Sequence, residues 1–285
     1  MSGLKIGTCS WKYDSWRNIV YSDKSNLNFL EEYSKKYKTV EIDQWFWSLH
    51  GLDKITLPRM DVVEEYVGSV PSDFKFTIKA PNSITLTNFY RKNKNDVLIE
   101  NPHFLSLELM EAFIESLKPM HNQIGMIMFQ FEYLNKEKMA SQIDFQILME
   151  DFFSKLDRRF IYGIEIRNPN YLNKAYFEFL NNNDISHVFI QGYYMPSIFE
   201  IFHKFSDLIN KHTAIRLIGP DRKIIEKLTG NDWSRILLPK DDEIDKLIEM
   251  ISKLIHKEVD IYLNVNNHYE GTAPLTIERI TNKLP

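Results

Sequence analysis

Apolar and β-favouring residues recur in eight short runs along the chain: Lys5–Ser10, Thr39–Trp45, Phe74–Ala80, Gly125–Phe131, Ile161–Arg167, Ser186–Gln191, His212–Ile218 and Asp260–Asn266. Between them the apolar spacing lengthens to three and four residues. Leu27, Leu30, Tyr33 and Tyr37 follow that spacing, as do Phe104, Leu107, Phe113, Ile114 and Leu117. Ile244, Leu247, Ile248, Ile251 and Leu254 form the clearest stripe. The short runs predict strands and the longer period predicts amphipathic helices. Strand followed by helix, repeated, is the order of right-handed βαβ units on a parallel sheet, and eight strands close a (β/α)8 barrel. The chain has 285 residues, in keeping with barrels of roughly 250 residues that fold as one unit. No linker rich in Gly, Pro or Ser divides it. The expectation is one TIM-barrel domain over residues 1–285. Two segments are less regular. Asn88–His103 is long and polar and predicts an extended loop after the third strand. Gly192–Lys211 carries aromatics at helical spacing but admits strand readings.

Side chains alternate faces along a strand, so parity sorts them. Val40 and Ile42 oppose Glu41 and Asp43. Phe74, Phe76 and Ile78 oppose Lys75, Thr77 and Lys79, while Tyr162, Ile164 and Ile166 oppose Gly163, Glu165 and Arg167. Arg216 opposes Ile215 and Leu217, and Tyr262, Asn264 and Asn266 oppose Ile261, Leu263 and Val265. The apolar set must pack on the helices, so the polar set points into the barrel. Its members near strand C-termini converge at the mouth, where barrel enzymes keep their active sites. The expected ring holds Ser10, Asp43, Lys79, Gln130, Glu165, Arg167, Gln191, Arg216, Asn264 and Asn266, with Glu41 one layer deeper. His187, near the start of its strand, is expected to be a packing residue. The same ring admits a purely structural reading, as interior ion pairs filling the barrel, because a buried charge needs only a partner. Against that stands cost: Val, Ile and Leu would fill the space with less desolvation.

Composition narrows the classes. Hydrophobic residues make up 44% of the chain, enough for a large core, and the formal net charge is -4. That balance opposes general binding to a phosphate backbone. The single cysteine, Cys9, excludes an internal disulfide and a thiolate zinc site, and suits a reducing compartment. The opening MSGLKIGTCSW has no long apolar run, so no signal peptide is expected. No stretch approaches the ~18 apolar residues of a membrane span. The expected setting is cytoplasmic, with no membrane partner. Ten glycines include no phosphate-loop fingerprint. Glu41, Asp43, Glu165 and His268 offer metal donors, but Lys79, Arg167 and Arg216 would repel a cation, so no metal is expected. The sequence points to no particular cofactor and sets no oligomeric state.

What remains is a set of carboxylates beside cations. Carboxylates so placed have shifted pKa values and serve as general acid or base. Glu165, Asp43 and Glu41 are the candidate catalytic groups, Glu165 foremost. Lys79, Arg167 and Arg216 are candidates for holding an anion, arginine through two parallel hydrogen bonds. Gln130, Asn264, Asn266 and Asn267 could bond hydroxyls or amides. Four of the five tryptophans, Trp11, Trp16, Trp45 and Trp47, fall in the first 47 residues. Trp11 is thus a candidate stacking surface, although packing of the first loop over the mouth explains these rings equally well. The expected function is an enzyme acting on a small anionic or polyhydroxylated metabolite such as a sugar phosphate. An alternative is a nucleic-acid-binding or nuclease-like barrel. The loop Phe89-Tyr90-Arg91-Lys92-Asn93-Lys94 interleaves rings with cations in that manner, and a solvated charged turn accounts for it too. A non-catalytic scaffold is a third reading.

Seven segments occur together in order: Lys5–Trp11 (KIGTCSW), Thr39–Trp47 (TVEIDQWFW), Phe74–Pro81 (FKFTIKAP), Phe129–Phe131 (FQF), Glu165–Tyr171 (EIRNPNY), Arg216–Gly219 (RLIG) and Asn266–Pro274 (NNHYEGTAP). In these the chain resembles the YecE-like proteins, a family named as domain of unknown function 72, from the first strand to the end. The resemblance implies a TIM-barrel fold and no established activity or cofactor. The chain departs from the family pattern at Cys9-Ser10, where Ser-Gly is usual, and at Asp43, which replaces an asparagine. Asn168 and Ile218 stand where histidine is common, and Glu132-Tyr133 replaces a Pro-Pro pair. A family mechanism using those histidines as base or ligand could not operate unchanged.

Overall fold

A computed structural model describes residues 3–52, 54–91, 93, 96–219 and 222–284. Eight parallel strands form a closed barrel: β1 (Leu4–Thr8), β2 (Thr39–Ile42), β3 (Lys75–Lys79), β4 (Ile124–Gln130), β5 (Tyr162–Glu165), β6 (Ser186–Gly192), β7 (His212–Gly219) and β8 (Asp260–Val265). Each pairs with its neighbours in sequence, and β1 closes the ring on β8 from Leu4↔Ile261 to Thr8↔Val265. All eight apolar runs are therefore strands, and the fold is the expected (β/α)8 barrel.

The outward parity packs on the helices. Val40, Ile42, Phe76, Ile78, Ile127, Phe129, Ile164, Ile215, Leu217, Ile261, Leu263 and Val265 are buried in that layer. The helices start where side chains satisfy the first free backbone N–H groups. Asn28 accepts from Leu30 and Glu31, Ser106 from Leu109, Ser141 from Asp144 and Asn173 from Tyr176. Inside the barrel, Met126, Met128, Val188, Ala214 and Tyr262 make a separate apolar cluster. Gly163 leaves room for it, since a Cβ there would lie 2.9 Å from both Met126 Sδ and Val188 Cγ2. This plug fills the lower interior and leaves the polar residues of the inner face toward the strand C-termini.

Three segments refine the expectation. Gly192–Lys211 contains a helix, Ile198–Phe205, so the strand reading there does not hold. The connection after β2 contains a short antiparallel hairpin, Leu49–Gly51 with Lys54–Ile55, too short to leave a periodic signal. In the Asn88–His103 segment an antiparallel bridge joins Asn88 and Glu100; Lys92 and Lys94 of its basic run lie outside the described residues. Among the described residues no helix is long and apolar enough to cross a membrane.

Candidate functional site

The polar inner residues sit at or near the ends of their strands. Lys79, Gln130 and Glu165 are the last residues of β3, β4 and β5. Register sets Glu41 beside Thr77, Gln130 beside Glu165, and Asn264 beside Arg216. At the centre is Arg216. Its Nε and Nη2 donate to the two carboxylate oxygens of Glu41, both at 2.7 Å, and its Nη1 donates to Glu165. Arg167 closes the chain from the other side: its Nε donates to Glu165 Oε1 at 2.7 Å, and its Nη2 lies 2.5 Å from the same oxygen.

Exposure divides this network in two. The side chains of Glu41, Glu165 and Arg216 are 0%, 1% and 3% exposed, whereas those of Lys79 and Arg167 are 12% and 19% exposed. Arg167 lies over the Tyr193 ring at 4.6 Å, and Lys79 Nζ stands 5.3 Å from the Phe46 ring. Lys79 Nζ is 3.8 Å from Glu41 Oε1, beyond hydrogen-bond reach. That oxygen already accepts from Arg216.

The charges tune one another. Burial would raise the Glu165 carboxyl, but Arg167 and Arg216, with Lys79 beyond, outweigh it and hold the group down to about 2. Burial lowers the Lys79 amine, and Arg216 adds to that against the pull of Glu41, Glu165 and Asp43. Burial also raises the Asp43 carboxyl, which Lys79 opposes and Glu41 reinforces.

Parity thus brings Glu41, Lys79, Gln130, Glu165, Arg167, Arg216 and Asn264 to one face, and the structure gives several of them partners within the protein. Arg216 gives three of its donors to two carboxylates. Asn264 is fully buried and donates to Thr77 Oγ1 at 3.0 Å, beneath the ring. Asn266 accepts from the backbone N–H of His268 at 3.0 Å. Asn267 is buried and accepts from the N–H of Ala273 at 2.8 Å, fixing the start of the last helix. Both side-chain oxygens serve turn geometry. Trp11 is buried edge-on against Tyr66 at 5.0 Å. It lines a cleft of about 690 Å3 with Ser10, Gln44, Glu65 and Tyr66, outside the charged ring.

Two ring positions expected from parity belong elsewhere. Gln191 donates to Glu243 Oε2 at 2.9 Å, on the helix Asp241–His256. The inner face of β6 instead carries Val188 and Ile190. Just after β1 the inner place belongs to Cys9, packed with Ile190 and Ile218, and not to Ser10. His187 packs against the rings of Phe177 and Phe189 at 4.9 and 4.5 Å, and burial pushes its pKa down to about 3. Tyr193 and Phe46 were not singled out from the sequence. Each is an aromatic residue close after a strand end, which was the available signal. Among the described residues no group of three or more His, Cys, Asp or Glu side chains is placed to hold a metal ion.

Comparison with known proteins matches residues 5–285 to the family described as protein of unknown function DUF72. No curated protein matches the chain. A solved DUF72 family protein from Enterococcus faecalis is similar at a TM-score of 0.65 and 19% identity, covering 98% of this chain and 95% of that one. Another from Thermotoga maritima gives a TM-score of 0.64 and 17% identity, covering 98% of each chain. At these identities the structural likeness carries the fold alone.

Proposed function

The chain belongs to the DUF72 family, and from that premise we propose that its barrel mouth binds and transforms a small anionic, hydroxyl-bearing metabolite of the sugar-phosphate kind. The observation that carries this reading is the division within the charged ring. Glu41, Glu165 and Arg216 are buried and mutually paired, whereas Lys79 and Arg167 keep their charged heads at the opening. A ring built only for stability would have no need to leave cations at its rim. Arg167 uses Nε and Nη2 on Glu165; among the described residues its Nη1 has no partner, which leaves it for a ligand, and its guanidinium carbon lies 4.6 Å from the Tyr193 ring centre. Arginine is suited to that task because its fork is rigid and its charge permanent.

The acid–base roles follow from the surroundings. Glu165, held at about 2, stays ionised at neutral pH and gives no proton; it is the fixed countercharge of two arginines. Glu41 is spent on Arg216. Asp43, raised by burial and by Glu41 against the pull of Lys79, is the carboxyl of the set with no arginine partner among the described residues, and the one we assign to exchange a proton with substrate. Gln130, next to Glu165, is placed to bond a hydroxyl.

Thermal melts in phosphate against chloride at matched ionic strength test the reading. A ligand that binds the native state alone stabilises by RT ln(1 + [L]/Kd), about 2.7 kcal/mol at a hundredfold excess over Kd. The wild type should melt higher in phosphate by roughly 5–10 °C, at ~2–4 °C per kcal/mol for a chain of this size. Arg167→Gln should lose most of that rise. Equal rises in wild type and variant would overturn the reading.

A further inference from the structure

We propose that Lys79 is an amine nucleophile that condenses with the carbonyl carbon of an anionic aldehyde or ketone held at the mouth. The proposal rests on the anion-binding reading above and narrows its substrate to carbonyl compounds.

The geometry singles out Lys79 among the ring cations. Arg216 has two carboxylates, and Arg167 has Glu165. Lys79 has no dedicated counterion: its nearest carboxylate oxygen, Glu41 Oε1, lies at 3.8 Å and already accepts from Arg216 Nη2 at 2.7 Å. Among the described residues no side chain or carbonyl accepts a hydrogen bond from its Nζ. The ammonium form is therefore poorly solvated by the protein, with an aromatic ring, Phe46, on one side and the positive Arg216 nearby. The charged groups acting on it are Glu41 and Asp43 from the β2 segment, Glu165 from β5, and Arg216 from β7. Together with burial they leave its proton held less tightly than an ordinary lysine's. A lysine desolvated beside another cation is the standard way to obtain a neutral amine near neutral pH.

The step balances without an outside oxidant or reductant. The neutral amine attacks the carbonyl carbon, forming the N–C bond while the C=O electron pair moves to oxygen. The proton released by the nitrogen passes to the Asp43 carboxylate and from it to that oxygen, giving a neutral carbinolamine. The carbinolamine then takes one proton from solvent and expels its hydroxyl as water. An iminium remains, and it stores the electron pair of an adjacent carbon when a bond to that carbon breaks. Arg167 would hold the anionic end meanwhile.

Pyridoxal 5′-phosphate, used purely as a reagent, tests this because it joins an aldehyde to a phosphate. The wild-type protein is treated with it at pH 7, reduced with borohydride, digested and mapped by mass spectrometry, with inorganic phosphate as competitor. The expected result is one dominant adduct on Lys79, formed faster than on any other lysine because burial and Arg216 disfavour its charged form. Phosphate should suppress it. In Lys79→Arg the dominant adduct should vanish while phosphate still raises the melting temperature. Because the site is read from wild-type peptides, a variant that fails to fold leaves the test intact. Labelling spread over surface lysines, with Lys79 no faster, would overturn the proposal; if phosphate still stabilises in an Arg167-dependent way, the anion reading survives that failure. Equal labelling of Lys79 by pyridoxal and its phosphate would support the nucleophile and count against the anion site.

Discussion

Replacing Glu165 with glutamine keeps the shape of the side chain and removes its charge. In the native ring this carboxylate accepts from Arg216 Nη1 and from Arg167 Nε at 1% exposure. The amide presents one oxygen and one NH2 to groups that are both donors. One arginine therefore loses its partner in a buried place, a change that costs about 3–5 kcal/mol. An independent route gives a similar order of magnitude. The carboxyl is held at about 2 against an ordinary 4.5, a preference for the ionised form of roughly 3 kcal/mol. At ~2–4 °C per kcal/mol, the melting temperature of Glu165→Gln at pH 7 should fall by roughly 6–12 °C, followed by calorimetry. The pH dependence carries a sign. A carboxyl with a depressed native pKa stabilises above its unfolded value and loses that contribution as pH falls through the folded one. The gap between wild type and variant should thus be full above pH 4.5, narrow below it and close near pH 2. A variant that melts with the wild type, or above it, at pH 7 would refute the buried-ring account.

Other perturbations give equally definite outcomes. Lys79→Met removes an amine whose charged form burial disfavours; a base with a lowered native pKa costs stability below that value, and the cost fades as pH rises to the ordinary 10.5, so the variant should melt no lower than wild type at pH 7 and the difference should shrink in alkali. Gly7→Ala places a Cβ 1.9 Å from the Thr39 carbonyl oxygen in the β1–β2 seam; backbone must move, at about 1–3 kcal/mol or more, and amide exchange along that seam should accelerate. Tyr193→Ala removes the ring against Arg167, worth ~0.5–1 kcal/mol at such a site, so phosphate should bind roughly two- to fivefold more weakly by calorimetric titration.

The barrel was legible because its strands alternate cleanly. In β2, β3, β5, β7 and β8 one parity is apolar and the other is not, so Glu41, Lys79, Glu165, Arg167, Arg216 and Asn264 could be placed on the inner face without coordinates. On β6 both parities carry apolar residues, Phe189 on one and Val188 and Ile190 on the other, and the polar Gln191 misled the assignment: its amide had a partner, Glu243, on a helix. In β1 and just after it, the small residues Gly7, Cys9 and Ser10 offer no contrast, and Cys9 took the inner place. Pairing across the barrel was not legible at all. Arg216 meets Glu41 over a separation of 175 residues, and no local pattern tells which cation is consumed by which carboxylate. That pairing sets the surroundings: Arg216 meets two carboxylates, while Lys79 and Arg167 are less buried. Asn267 shows the same limit, since its capping of Ala273 depends on the turn after β8.

The central claim is that the mouth is a ligand site whose open side chains are Lys79 and Arg167. A high-resolution crystal structure of the protein grown in phosphate measures this most directly. The account requires a tetrahedral anion within hydrogen-bond distance of Arg167 Nη1 and Lys79 Nζ, with Arg216 still bound to Glu41 and Glu165. A mouth filled by ordered water alone, with phosphate elsewhere on the surface and Lys79 turned onto Asp43, would contradict it.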